Sequence, residues 1–181
     1  VQGLERLFDV DPGPWVRDMR RVMYCGEWIQ SHSLHIHLLA VPDFFGYNSA
    51  LEMARDYPGV VRRGLMLQTL GNDLIAMFGG RSVHPVGLRV VGFFKAPDPQ
   101  AVEAMCQRLE EALVVAADLV HWCVGLKVPQ YNQQFTCVAL RHDDEYAMND
   151  GRIVSSVGMD IGVEEFGHYF QEIQVPQSTA F

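Results

Sequence analysis

The sequence predicts an α+β fold that is predominantly helical: long packed helices with two small β excursions. Three long segments carry apolar residues at helical spacing, and two runs rich in Val, Ile and Phe follow Gly- or Asn-Asp-Gly punctuation. At 181 residues, 49% apolar and 20% charged, the chain has the material for a substantial core. It shows no repeat, low-complexity tract or linker composition, so 1-181 reads as a single unit.

After Asp-Pro-Gly-Pro-Trp, the run Val16 to Leu39 sets Met19, Val22, Met23, Ile29 and Ile36 on one helical face and stops before Val41-Pro42-Asp43-Phe44-Phe45-Gly46-Tyr47. Ser49-x-x-Glu52 is a capping box that starts a short helix, broken at Tyr57-Pro58-Gly59. Asp56 is placed to cap the next helix, which carries Val60 through Phe78 and ends at Gly79-Gly80. Within it Gly64 and Gly71 share a face. Glycine weakens a helix, so a neighbouring backbone is expected to approach there.

Pro85 to Lys95 alternates loosely, as in one or two short strands. Asp98-Pro99 opens the longest helix, to about Leu126, with Val102, Met105, Leu109, Leu113, Ala116, Val120 and Cys123 on its apolar face. Further on, Asn149-Asp150-Gly151 between two strand-like runs signals a hairpin, and a short helix is expected around Val163 to Phe170.

A net charge of −8 argues against nucleic acid or an anionic membrane surface as partner. No apolar run approaches a membrane span. The chain opens on Val1 and stops after Ser178-Thr179-Ala180-Phe181, so both ends look truncated. Cys25, Cys106, Cys123 and Cys137 never form Cys-x-x-Cys, a spacing that fits buried thiols of a reducing compartment.

Two stretches hold chemistry-bearing residues. In Ile29 to Leu39, His32 and His35 are helix neighbours while His37 points nearly the opposite way. A two-histidine metal clip is geometrically possible but lacks a third ligand, and imidazoles bonded between helices is the simpler reading. In Phe78 to Phe94, Arg81 and His84 sit where a helix stops and a strand begins. This is either a joint, with Arg81 at the negative helix end, or a site, because the residue before a proline has a restricted backbone that aims its ring. Asp143-Asp144-Glu145 reads as a solvated turn, and Glu164, Glu165 and Glu172 as a polar face.

Taken together, Gly26 to Tyr47, Leu70 to Pro97 and, more weakly, Glu145 to Ala180 resemble the large subunit of nickel-iron hydrogenases of the cytoplasmic multimeric type linked to NAD(P), F420 or heterodisulfide reductase. The resemblance runs over nearly the whole chain in one order. Val91 departs from it, where relatives tend to carry a second glycine beside Gly92, and Gln177 stands where many carry histidine. The family's two Cys-x-x-Cys pairs, whose thiolates hold nickel and iron, are absent here. The resemblance therefore implies an interior fragment with no catalytic residue and no metal ligand of its own, inactive alone.

For the complete protein the resemblance implies reversible oxidation of H2 to protons and electrons at a nickel-iron centre. The partners it implies are an iron-sulfur small subunit with a diaphorase, F420 or heterodisulfide-reductase module, and the localisation is cytoplasmic. His84, supported by Arg81, would face the small subunit near its closest iron-sulfur cluster, and His32 and His35 would flank the catalytic centre without binding metal. The alternatives are the related nickel-free subunit of a quinone-reducing respiratory complex and a non-catalytic scaffold subunit.

Overall fold

A computed structural model describes residues 1–128 and 131–176. It groups into two compact units, Val1–Pro129 and Gln130–Phe181. The sequence shows no composition shift at that boundary.

The first unit is helical. A short helix, α1 (Gln2–Leu7), lies in a stretch where the sequence pattern predicts no element. The rod that follows is longer than expected. Helix α2 (Gly13–Leu34) passes into a π-helical segment (His35–Ala40) and then into α3 (Val41–Phe45), which ends at Gly46 with φ +78°. The expected stop before Val41 is thus corrected to a change of winding. Pro42 has no N–H to offer the carbonyl four residues back, and the ladder widens just ahead of it.

Helix α4 (Ala50–Met53) starts at Ser49, whose Oγ accepts from the Glu52 N–H at 3.2 Å. The return half of the box shifts by one residue, because Glu52 Oε2 accepts from the Asn48 N–H at 3.0 Å. Asp56 does not cap α5 (Pro58–Gly79); its carboxylate accepts from the Tyr47 hydroxyl at 2.8 Å, which pushes the Tyr47 phenol up to about 12.

Helix α5 packs most extensively on α2, and glycines make the approach possible. A Cβ on Gly71 would lie 2.5 Å from the Gln30 nitrogen and 2.6 Å from the Gly26 oxygen, and one on Gly64 would collide with His37. Leu67, Leu70, Leu74 and Phe78 of α5 join Met105, Ala112 and Leu119 of α6 (Pro99–Val124) in the core. Asp98 caps α6, accepting from the Ala101 N–H at 3.2 Å. The stripe expected on α6 is corrected in part. Met105 is buried and Leu109 packs on the core, whereas Leu113 and Val120 are 69% and 62% exposed.

Between α5 and α6, β1 (Leu88–Arg89) pairs antiparallel with β2 (Gly92–Phe93) across the two-residue loop Val90-Val91. Val91 has φ +57°, a conformation that suits glycine, so a valine there has a local cost. The loop is held from two sides. The Val91 N–H donates to Glu5 Oε1 at 2.7 Å, and Arg20 Nη2 donates to the Arg89 carbonyl at 3.2 Å. Glu5 and Arg20, both buried, meet in a two-pronged ion pair at 2.7 and 2.8 Å.

The second unit is a three-stranded antiparallel sheet of β3 (Val138–Arg141), β4 (Arg152–Ser155) and β5 (Asp160–Ile161), ordered β3-β4-β5. The expected pairing across Asn149-Asp150-Gly151 forms, but its loop spans 142–151, with Gly151 at φ +148° beside the Arg141 carbonyl. The tight turn lies instead between β4 and β5, where Gly158 has φ +95°. Asp143 and Asp144 are exposed in the wide loop, as a solvated turn requires, whereas Glu145 beside them is half-buried. A one-turn 3-10 helix (Val163–Glu165) and α7 (Phe166–Tyr169) supply the expected short helix. Glu165 accepts from the Gly162 N–H at 2.9 Å, and Glu164 and Glu172 are exposed. Gln177 lies outside the described residues.

Candidate functional site

The loop after α5 is pinched shut by backbone hydrogen bonds. The Val86 and Gly87 N–H groups both donate to the Gly79 carbonyl at 2.9 Å, and Gly80 ends the helix at φ +77°. A Cβ on Gly87 would strike the Phe78 carbonyl, and one on Gly79 would strike Pro85. Arg81 and His84 ride on this closed loop, and both are exposed. Arg81 Nε donates to the His84 carbonyl at 2.6 Å, so the guanidinium holds the histidine's backbone rather than its ring. His84 has φ +50°, a left-handed conformation that costs energy for a residue with a Cβ and that the expectation of an extended residue before proline did not contain. The arrangement presents a titratable ring from a constrained, solvent-facing backbone.

His32 and His35 are also exposed, on the long rod. His32 Nδ1 donates to the Trp28 carbonyl at 2.9 Å, and its ring lies 5.9 Å from the Trp28 ring, with Tyr24 a further 6.0 Å along. The hydrogen bonds of the two histidine-bearing regions stay separate, since those of His32 remain within α2 and that of Arg81 closes its own loop.

His37, which helical spacing sets apart as the one pointing away, is the buried histidine. It is fully enclosed. Its Nδ1 donates to the Ser33 carbonyl at 2.9 Å, and its Nε2 accepts from Arg63 Nε at 3.1 Å. The ring is nearly parallel to Trp122, with centroids 6.3 Å apart, and the Arg63 guanidinium carbon sits 4.6 Å from the centre of that indole. Ser33 Oγ donates to the Gly64 carbonyl at 2.8 Å, which ties the same turn to α5. Burial holds the imidazole below its usual range, and Arg63 adds to the effect. The signal for this cluster was present in the sequence as Gly64, the gap His37 fills, but pairing a glycine with a histidine on another helix requires the crossing point.

Metal binding does not fit the residues present. Among the described residues no group of three or more His, Cys, Asp or Glu side chains converges. Cys106 and Cys137 are exposed, against the expectation of buried thiols, and Cys25 and Cys123 are half-buried. Burial raises the Cys123 thiol, which opposes the thiolate a metal needs. Among the described residues no helix is long and apolar enough to cross a membrane.

No family model matches the chain. The alpha chain of sulfhydrogenase 1 from Pyrococcus furiosus is 30% identical over 184 residues, covering 99% of this chain and 42% of that protein. The alpha chain of sulfhydrogenase 2 from the same organism is 31% identical over 181 residues, covering 100% and 41%. An F420-non-reducing hydrogenase subunit of Methanothermobacter marburgensis is 24% identical over 146 residues, covering 76% and 30%. The chain thus spans about two fifths of the length of the first two relatives. A solved NAD+-reducing NiFe-hydrogenase in the H2-reduced state shares the fold, with a TM-score of 0.63 and 22% identity over 80% of this chain and 36% of that one.

Proposed function

We propose that this chain, a homologue of hydrogenase alpha subunits, is part of the catalytic subunit of a nickel-iron hydrogenase. The complete protein oxidises H2 reversibly to protons and electrons, and an iron-sulfur small subunit receives the electrons. What carries this reading is the match of nearly the whole chain to two sulfhydrogenase alpha subunits, at 30% and 31% identity. In this reading the nickel-iron centre is held by thiolates outside this sequence, as the family resemblance implies.

In this reading Arg81 and His84 belong to the surface that meets the small subunit. The closed glycine loop supports it, because a contact that sets an electron donor–acceptor distance gains from a ring carried on rigid backbone. His32 and His35 belong beside the catalytic centre, on the exposed side of the rod, without binding metal. A diaphorase, F420 or heterodisulfide-reductase module completes the electron path.

In the full-length complex, His84→Ala is expected to slow electron delivery to the native partner on the order of tenfold while nickel content stays unchanged. Unchanged hydrogen uptake with both an artificial acceptor and the native partner would remove His84 from that role. Full-length protein purified without stoichiometric nickel would overturn the hydrogenase reading itself and favour the quinone-reducing or scaffold alternative.

A further inference from the structure

The His37 cluster has a feature that needs no hydrogen chemistry to interpret: a buried imidazole accepts a hydrogen bond from a permanent cation. The Arg63 guanidinium cannot give up its proton, so the Arg63–His37 bond exists only while His37 Nε2 keeps its lone pair. The other ring nitrogen is already a donor, to the Ser33 carbonyl. A proton added to Nε2 turns that atom into a second donor facing the Arg63 donor at 3.1 Å, with two positive charges side by side.

No acceptor stands ready for the new charge among the described residues. α2 contributes Ser33, whose hydroxyl is committed to Gly64. α5 contributes Arg63, the charged group that acts on the ring, and α6 contributes Trp122 and, beside Arg63, the Cys123 thiol. The carboxylates of the neighbouring short helices are Asp43 on α3, which is exposed, and Glu52 on α4, which accepts from Asn48. Arg63 Nη2 is buried with no hydrogen-bond partner among the described residues, so apart from His37 the guanidinium rests on its contact with the Trp122 indole. The ring also sits in the π-helical segment, where the backbone ladder has already departed from the α pattern.

We propose that His37 and Arg63 form an acid-sensitive clasp, which holds the π-helical segment against α5 and α6 and releases it when the imidazole takes up a proton. A proton from solvent reaches Nε2 as the segment opens; the bond from Arg63 is lost, and Arg63 and the imidazolium separate into water. The open form binds a proton more readily than the closed one, so opening becomes easier as pH falls below the ordinary histidine range. Between the two forms' titration points the opening equilibrium rises about tenfold per pH unit.

The test is amide hydrogen exchange of the full chain, followed by mass spectrometry for the peptide spanning residues 35–42 and corrected for intrinsic rates. From pH 7.5 to 5.5 the wild-type peptide should lose roughly tenfold or more in protection. His37→Gln keeps an acceptor for Arg63 but does not titrate, and its protection should stay flat over the same range. Arg63→Met keeps a side chain against Trp122 but removes the bond to His37 Nε2, so its peptide should be several-fold less protected than the wild type's already at pH 7.5; it serves if His37→Gln does not fold. Constant wild-type protection, an equal acid loss in His37→Gln, or wild-type protection of Arg63→Met at pH 7.5 overturns the clasp.

Discussion

Single side chains decide more of this molecule than their positions in the sequence suggest. Val91 holds φ +57° in a two-residue loop while 43% exposed, so it strains the backbone and buries little in return. Val91→Gly is expected to stabilise the protein by about 1 kcal/mol, measured as a rise in urea midpoint at constant slope. Glu5 behaves oppositely. The Arg20 guanidinium holds its carboxyl down to about 2, with help from the Val91 N–H. A carboxylate lowered in the folded state contributes its stability in full above the ordinary value of 4.5, and that contribution fades as pH falls from there toward 2. Glu5→Gln leaves the buried Arg20 without its counter-ion and should cost on the order of 3–5 kcal/mol in denaturant unfolding near neutral pH. The Glu5–Arg20 pairing is not legible in the sequence. Glu5 and Arg20 are separated from Val91 by most of the first unit, and their meeting depends on where α1 lands.

At the scale of elements, propensity and spacing read well wherever a helix signals its own ends. Asp98-Pro99 caps the longest helix and Gly80 closes α5, both as their chemistry required. The reading failed where the winding changed without a break, because a π turn keeps a helical hydrophobic pattern. His37 continues the buried stripe of Gly26 and Ser33 at ordinary helical spacing, and so it, not His32 or His35, is the enclosed histidine. The close backbone approach expected at the glycines occurs at Gly71, whereas Gly64 makes room for the His37 side chain, and α5 offers a contrast between two glycine environments. Gly71→Ala improves helix propensity by about 1 kcal/mol, yet its Cβ would press on the α2 backbone, which cannot step aside. A net loss of about 2 kcal/mol is expected. Gly59→Ala meets nothing within 4 Å and should be neutral or stabilising by about 0.5 kcal/mol. Thermal unfolding of the two variants side by side separates a packing glycine from an unencumbered one.

For the molecule as a whole, the first unit leaves much of α6 uncovered. Leu113, Val114, Val120 and Val124 are all exposed, Val124 to 82%. An apolar helix face of that kind promotes association in water, so the chain on its own is expected to self-associate or require a partner. Light scattering should show species larger than one chain, and the double change Leu113→Glu with Val120→Glu should shift the distribution toward monomer. A monodisperse, cooperatively melting monomer of the unmodified chain would refute this. The candidate site was legible only in pieces: the sequence placed Arg81 at the negative helix end and His84 under the restriction of Pro85, but the constraint is the closed Gly79–Gly87 loop, with Arg81 bound to the His84 carbonyl.

The sequence by itself determined the helical class, most helix ends and, at Gly71, a place where two backbones come close, because capping, periodicity and glycine are local properties read within a few residues. Only the tertiary structure decided which histidine is enclosed, which carboxylate is paired with Arg20, and which face of α6 is covered. Those outcomes are contacts between residues far apart in the chain, and local chemistry carries no record of the crossing points that create them.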